Sequence, residues 1–383
     1  MDKQGRQRIA ILFNFRKGWM GGIIYIINLV NALDFLDEDS KPEIIIFYDQ
    51  DLEGFIKDFK YSYLEFVPWF FPSLWKGYLG SWLVRKNLFV NKIIEEYKPI
   101  GIYPLNDWPI SGKFMLEKGT RVVGWIPDLQ HKFYPHFFTK LRVFFREQRI
   151  KMLLRNTGDL AVSSHDVESH FKKFYSIKPS LRIHALRFVS LISNTTFRPL
   201  VELQNQYAIP AHYFIVSNQF TNHKNHMVLL DALRILKEKR FTIFFVLTGK
   251  TDFKGNENYI SQIRTFIKTH GLENSINMTG IIPRQDQLSL MKHARAVVQP
   301  SLFEGWSTVI EDAKSLRIPV LASNLPVNME QLQETATFFD PCNASELATK
   351  LENFNQQSET LRYDSYENRV RKFAEDFMDV FKS

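Results

Sequence analysis

Short apolar runs alternate with longer stretches of helical periodicity almost throughout this chain, and the alternation occurs twice. In the first half, strands are expected at Arg8–Phe13, Glu43–Tyr48, Gly101–Leu105, 121–126 and Asp159–Val162, with Gly21 and Gly22 opening the first helix. In the second half they are expected at 213–217, 242–248, 276–279, 296–299, 319–322 and 336–338. Strand–helix alternation on this scale implies parallel sheets covered by helices on both faces. At 383 residues the chain exceeds what one core organises, so the expected class is α/β, with two doubly wound Rossmann-like domains facing a cleft. The expected domains are residues 1–190 and 191–365, with an irregular linker over 190–210. Residues 366–383 hold apolar Val370, Phe373, Phe377, Val380 and Phe381 on one helix face, which suits packing back onto the first domain.

Composition narrows the setting. The hydrophobic fraction of 45% marks a globular chain rather than a disordered one. With one cysteine, Cys342, no internal disulfide can form, which fits a reducing compartment. There is no apolar leader and no apolar stretch of membrane-spanning length, so a cytoplasmic location is expected, and the Asn-x-Ser/Thr matches at Asn194, Asn277 and Asn343 are attributed to chance. The net charge of +8 is unevenly spread. Residues 1–200 hold 29 Lys/Arg against 20 Asp/Glu, whereas residues 201–383 hold 20 against 21. A basic first half suits an anionic partner, or no more than a solvated surface.

The densest chemistry follows the strand Ala296-Val297-Val298-Gln299. There Glu304, Gly305, Trp306, Ser307 and Thr308 lead into a helix that carries Glu311 and Asp312. A helix N-terminus with unpaired N–H groups suits a phosphate, and adjacent carboxylates suit sugar hydroxyls. The two together point to a nucleotide sugar.

These residues resemble glycosyltransferase family 4, the retaining, metal-independent enzymes of the GT-B fold. The family signature places two acids eight positions apart. Glu304 takes the first position, and the second falls on Asp312, with Glu311 immediately before it. The resemblance implies that Glu304 contacts the donor sugar. For the second acid both Glu311 and Asp312 are candidates to contact the donor; Thr308 to Glu311 also reads as a capping box, in which case Asp312 meets the nucleotide ribose. A second element, Asn218-Gln219 followed by His223-Lys224-Asn225-His226, resembles a sub-branch in which Gln stands at the usual Arg position. Lys224 then stabilises the leaving diphosphate. His223 and His226 lie three apart without an evident third ligand, so no metal is expected. Gly249, within Thr248-Gly249-Lys250, matches a loop over the donor, and Ile281 and Ile282 match the stretch that cradles the base.

In the first domain the resemblance implies that Gly21 and Gly22 let backbone approach phosphate and acceptor. It also makes Asp128 and His131 candidates near the reacting sugar, a structural loop role being the alternative. Ser163-Ser164 reads as a helix cap. The resemblance is weak over residues 35–99, and two stretches are read on their own chemistry. Residues 69–86 combine Trp69, Trp75 and Trp82 with basic residues, and residues 137–155 form a helix with Lys140, Arg142, Arg146, Arg149, Lys151 and Arg155. Both suit an anionic membrane surface, although core packing competes for the aromatics.

The expected function is transfer of a hexose from a nucleotide diphosphate sugar, the substrate rather than a cofactor, to a glycan or glycolipid acceptor. Cell-surface polysaccharide synthesis on the inner face of the membrane would fit. Rivals are a nucleotide-sugar 2-epimerase of the same fold and a non-catalytic basic polymer-binding protein. No nucleic-acid motif is present.

Overall fold

The structure is a computed structural model that describes residues 5–84, 87–105, 120–192, 195–251, 257–354 and 363–382. Arg85 and Lys86 of the aromatic stretch, and Asn194 of the linker, lie outside the described residues, as do the side chains of Trp75 and Trp82. The chain divides into two compact units, Met1–Val189 with Glu367–Ser383, and Ser190–Tyr366.

The first unit is built on strands β1 (Arg8–Phe13), β2 (Glu43–Tyr48), β3 (Leu64–Pro68), β4 (Gly101–Leu105), β5 (Arg121–Trp125), β6 (Asp159–Val162) and β7 (Arg182–Ala185). They form one parallel sheet in the order β3-β2-β1-β4-β5-β6-β7. The helices between them are α1 (Met20–Ala32), α2 (Leu74–Val84), α3 (Asn91–Tyr97), α4 (Gln130–Phe133), α5 (Lys140–Asn156) and α6 (His165–Phe174). Ile9 to Phe13 of β1 are wholly buried, as a central strand covered on both faces requires. Ser164 caps α6, its Oγ accepting from the Val167 N–H at 3.1 Å.

The second unit holds strands β8 (Phe214–Ser217), β9 (Phe245–Thr248), β10 (Ile276–Gly280), β11 (Val297–Gln299), β12 (Val320–Ser323) and β13 (Thr337–Phe339), in the parallel order β10-β9-β8-β11-β12-β13. Its helices are α7 (Leu200–Tyr207), α8 (His226–Glu238), α9 (Glu257–Thr269), α10 (Arg284–His293), α11 (Thr308–Leu316), α12 (Pro326–Leu332) and α13 (Ala344–Glu352). Alternate residues of each strand enter opposite cores. Phe214, Val216, Phe245, Leu247 and Val298 join one, and Ile215, Val246, Val297 and Val320 join the other. The sheet is therefore packed on both faces, and both units are doubly wound α/β domains.

The last helix, α14 (Tyr366–Asp379), belongs to the first unit from Glu367 onward. Phe373 lies 6.1 Å from the Tyr25 ring and Phe377 5.4 Å from that of Tyr103, and Arg121 donates to the Val380 carbonyl at 2.9 Å. Three details differ from the sequence expectation. Strands β3 and β7 add the two edges of the first sheet, helix α7 occupies part of the expected irregular linker, and residues 242–244 precede β9 rather than extending it.

Candidate active site

Strands β8 and β11 are neighbours although their connections run to opposite sides of the sheet. Their carboxyl ends mark the point where a doubly wound sheet opens a crevice. The polar residues that end them meet there. Asn218, just past β8, donates from Nδ2 to Oε1 of Gln299, the last residue of β11, at 2.7 Å. Gln299 in turn donates from Nε2 to Glu304 Oε1 at 2.7 Å and to Ser307 Oγ at 3.1 Å. Glu304 Oε1 receives a second, charged donor, Lys224 Nζ, at 2.6 Å. Asn218, Gln299 and Glu304 are all buried, so this is a satisfied polar network rather than a set of solvated side chains.

Local backbone fixes the geometry. Lys224 ends a short 3-10 turn, and Asn225 follows it in the left-handed region at φ 55. The Asn225 amide donates to the Pro300 carbonyl at 3.0 Å and to that of Pro341 at 2.8 Å, while Leu302 N–H donates to the His223 carbonyl at 2.7 Å. The loop after β8 is thereby tied to the loop after β11. Gly249 closes the arrangement from β9. At φ +141 it packs so tightly that an added Cβ would lie 2.0 Å from the Asn218 carbonyl oxygen. Burial pushes the Glu304 carboxyl up. The ammonium of Lys224, hydrogen bonds from Lys224 and Ser301, and the nearby His223 outweigh that, and the group ends below its ordinary value. Glu304 is thus a carboxylate at neutral pH, paired with a cation.

The acids on α11 are placed differently from the sequence expectation. The N-cap is Ser307, whose Oγ accepts from the Ile310 N–H at 3.3 Å, and Thr308 is exposed. The capping box from Thr308 to Glu311 does not form. The first turn starts one residue earlier, so Glu311 falls past the N3 position and turns inward. It is buried against Lys314 Nζ at 3.0 Å and Gln331 Nε2 at 2.9 Å. Gln331 also brackets the Ser307 peptide, accepting from its N–H at 3.1 Å and donating to its carbonyl at 2.9 Å. Two of the N–H groups expected at this helix start, those of Ser307 and Ile310, are therefore taken by protein. Asp312 is equally buried. Arg284 grips it in a two-pronged ion pair at 2.6 and 2.5 Å, and the Ser190 hydroxyl donates to the same carboxylate.

Other expected residues fall around this centre or away from it. Gln219 is exposed, as is Ile281, while Ile282 packs on the core. Gly305 and Trp306 are half-buried, with Lys314 Nζ 6.0 Å from the Trp306 ring centre. His226 is fully buried and stacks on Phe220 at 4.3 Å. Among the described residues no group of three or more His, Cys, Asp or Glu is placed to hold a metal ion.

Asp128 and His131 lie in the first unit. Asp128 Oδ1 accepts from the Gln130 N–H at 2.9 Å, the geometry of a loop that starts a short helix, and lies 3.4 Å from Arg146. The His131 ring is buried, with Nε2 2.6 Å from Glu147 Oε1. Burial, reinforced by Arg146, holds this imidazole below its usual value in spite of Glu147. Gly21 and Gly22 sit in the first turn of α1. The missing Cβ of Gly22 makes room for the Trp19 ring, since an added one would lie 2.8 Å from Trp19 Cε3.

Residues 203–372 match the family described as glycosyl transferases group 1, a segment that spans most of the second unit and less than half of the chain. Over that segment the chain is similar to the group 1 glycosyl transferases. The O-antigen chain mannosyltransferase RfbU of Salmonella typhimurium is 21% identical over 242 residues, which take in 63% of each chain, so the match spans less than two thirds of that relative's length. Anabaena Alr3699/HepE, solved in complex with UDP and glucose, superposes with a TM-score of 0.67 at 16% identity over 97% of this chain and 98% of its own. Sucrose-phosphate synthase from Thermosynechococcus elongatus gives 0.64 at 16% identity over 98% and 96%. These likenesses show that the fold is the two-domain GT-B fold.

Gln299, Ser301, Arg284 and Gln331 are site residues that sequence reasoning missed. Gln299 alone left a trace, as a polar residue closing an otherwise apolar strand.

Proposed function

We propose that this protein is a retaining glycosyltransferase of the family 4 type. It moves a hexose from a nucleotide diphosphate sugar to a glycan or lipid-linked glycan, in the synthesis of a cell-surface polysaccharide. The observation that carries the reading is the Lys224–Glu304 pair at the carboxyl ends of β8 and β11, inside the group 1 match.

In this reading the second unit holds the donor without a metal. Lys224 neutralises charge that grows on the diphosphate, and Glu304 accepts hydrogen bonds from the donor sugar. The Asn218–Gln299–Glu304 chain holds that carboxylate still. Asp312 accepts from the ribose, and Gly249, Ile281 and Ile282 lie against the nucleotide. The bond from C1 of the sugar to the diphosphate oxygen breaks, a bond from C1 to the acceptor oxygen forms on the same face, and the acceptor proton passes to the departing phosphate. The first unit takes the acceptor, with Asp128 near it. His131, neutral and fixed by Glu147, positions that loop.

A peripheral site on the anionic inner face of a membrane fits α5, where Leu141, Phe144 and Phe145 are exposed beside Lys140 and Arg142. Among the described residues no helix is long and apolar enough to cross a membrane.

Thermal stabilisation and hydrolysis across a panel of UDP-, GDP-, ADP- and dTDP-hexoses test the reading. One donor should raise Tm and be turned over slowly with its anomeric configuration retained. No response to any nucleotide sugar would overturn it, and epimerised product without acceptor would replace it with the isomerase.

A further inference from the structure

The first unit contains a cavity of about 520 Å³, a size suited to a small organic ligand. Its walls come from the loop after β1, the loop after β5 and one flank of α5. Their chemistry is split in two. Arg16, Arg142, Arg146 and Arg149 line it against a single carboxylate, Asp128. The remainder of the wall is aromatic and aliphatic, with Trp19, Phe138, Phe145 and Leu153 prominent.

The basic part has unspent capacity. Arg146 is engaged by Asp128, reaching its carbonyl at 3.2 Å and its carboxylate at 3.4 Å. Among the described residues, no hydrogen bond or ion pair engages the guanidinium of Arg16 or of Arg142, and both side chains are exposed. Guanidinium groups converging on one cavity suit a phosphate, which offers several oxygens to two-pronged donors.

On the apolar side, one ring is held by stacking. Trp19 stacks on Trp125 at 5.4 Å and 19°, and Trp125 stacks on Tyr25 at 4.6 Å and 11°. The Tyr25 hydroxyl meets that of Tyr103 at 2.7 Å in the core. Trp19 is the outer ring of this column, and the absence of a side chain at Gly22 lets it lie there. A fixed indole face next to arginines would be poorly used by inorganic phosphate. It suits a molecule whose phosphate is joined to an apolar chain.

We propose that this cavity is the acceptor subsite for a phosphate or diphosphate carried on an isoprenoid-like or alkyl chain, with Arg16 and Arg142 on the phosphate and Trp19 and Phe145 along the chain. Calling that ligand the acceptor rests on the transferase reading. Its binding does not, because it needs no nucleotide sugar.

The experiment uses the full chain without donor. Geranyl diphosphate and farnesyl phosphate, kept below their micellar concentrations, are titrated by calorimetry and by indole fluorescence. Geraniol, inorganic diphosphate and anionic phosphatidylglycerol vesicles serve as separate probes. The soluble prenyl phosphates should bind saturably and shift indole emission. Geraniol and inorganic diphosphate should each bind at least about tenfold more weakly, as the loss of either half of the contact implies. Arg142→Gln and Arg16→Gln should each weaken the prenyl phosphates about tenfold, and Trp19→Phe should abolish the emission shift with Tm retained.

Equal affinity for inorganic diphosphate would overturn the proposal in favour of a simple anion site. Binding to vesicles but not to soluble prenyl phosphates would overturn it in favour of headgroup contact. Unchanged affinity in both arginine variants would also overturn it. A protein that binds the prenyl phosphates but hydrolyses no nucleotide sugar would keep this site and lose the transferase reading.

Discussion

Lys224 Nζ lies 2.6 Å from Glu304 Oε1, and the two are joined from loops that leave adjacent strands, β8 and β11. Both groups have little contact with water, so each depends on the other. Lys224→Met strands a buried carboxylate and should cost about 3–5 kcal/mol, whereas Lys224→Met with Glu304→Gln should recover most of that. The pH profile carries a sign. In the wild type the Glu304 carboxyl sits below its ordinary value of 4.5, so its contribution is complete above that pH and is lost as pH falls below it. In Lys224→Met, the strongest opposition to burial is gone, with only Ser301 and His223 left to counter it, so the carboxyl rises and stability is lost as pH climbs through the raised value. Urea unfolding at several pH values between 4 and 8 should show the gap between the two proteins widening upward. A constant gap would mean that the pair does not form in solution.

Glu304→Gln keeps the shape of the network and removes its charge. Gln299 still finds an acceptor, and Lys224 loses its anion. Under the proposed function this variant should bind the nucleotide sugar with a Kd near wild type and lose about 100-fold or more in turnover, as when a charged transition-state contact is removed. Equilibrium binding beside a single-turnover rate distinguishes this from unfolding.

Gly249 has no room for a side chain. Alanine there would press on the Asn218 carbonyl from 2.0 Å at a backbone φ of +141, and Asn218 holds Gln299. Gly249→Ala should lower stability by about 1–3 kcal/mol and weaken donor turnover together, because the strain is passed along the network. Thermal melts with matched activity assays check this, and a stable but inactive variant would separate the two effects.

The central strands were legible because a sheet buried on both faces writes unbroken apolar runs, as in Ile9–Phe13 and in 213–217. Strands β3 and β7 were not, and both lie at sheet edges. Their residues are mostly half-buried or exposed, and Pro68 and Arg182 interrupt any run. Glu304 and Lys224 were legible through a family resemblance. Their pairing was not, since 80 positions separate them and the sheet order brings them together. The helix start shows a finer limit. Ser307 and Thr308 are both capping hydroxyls, and a one-residue choice between them decides whether Glu311 faces the helix end or the interior. Packing against Gln331 and Lys314 decides it for the interior.

Asp312 and Arg284 form an asymmetric pair, the carboxylate buried and the guanidinium partly exposed. Removing the arginine leaves a buried charge, while removing the charge leaves an arginine that can turn to water. Arg284→Gln should therefore cost about 3 kcal/mol and Asp312→Asn about 1 kcal/mol. The Asp312 oxygens accept three hydrogen bonds, from Ser190 and twice from Arg284, and a carboxylate can take about four. If the ribose supplies the fourth, Asp312→Asn should weaken nucleoside diphosphate binding about tenfold while Glu311→Gln leaves it unchanged. Calorimetric titration of both variants decides between the two acids.

His226 gives the protein a built-in sensitivity to acid. The ring is fully buried against Phe220. Burial, with Lys224 and His223 adding to it, lowers its pKa to about 3. Above about 6.5 the imidazole is neutral in folded and unfolded chains alike, and it makes no pH-dependent contribution. As pH falls below that value, the unfolded chain takes up a proton that the folded chain refuses. Stability should then drop by about 1.4 kcal/mol per pH unit until the folded value is reached. Between pH 8 and pH 5 this one residue should remove about 2 kcal/mol. His226→Phe keeps a flat ring on Phe220 and has nothing to titrate, so the difference between its unfolding free energy and that of the wild type should shift in its favour by that amount over the same interval. Parallel urea titrations at pH 8, 6.5 and 5 measure it. Identical pH profiles would mean that His226 is reached by water and protonated in the folded protein.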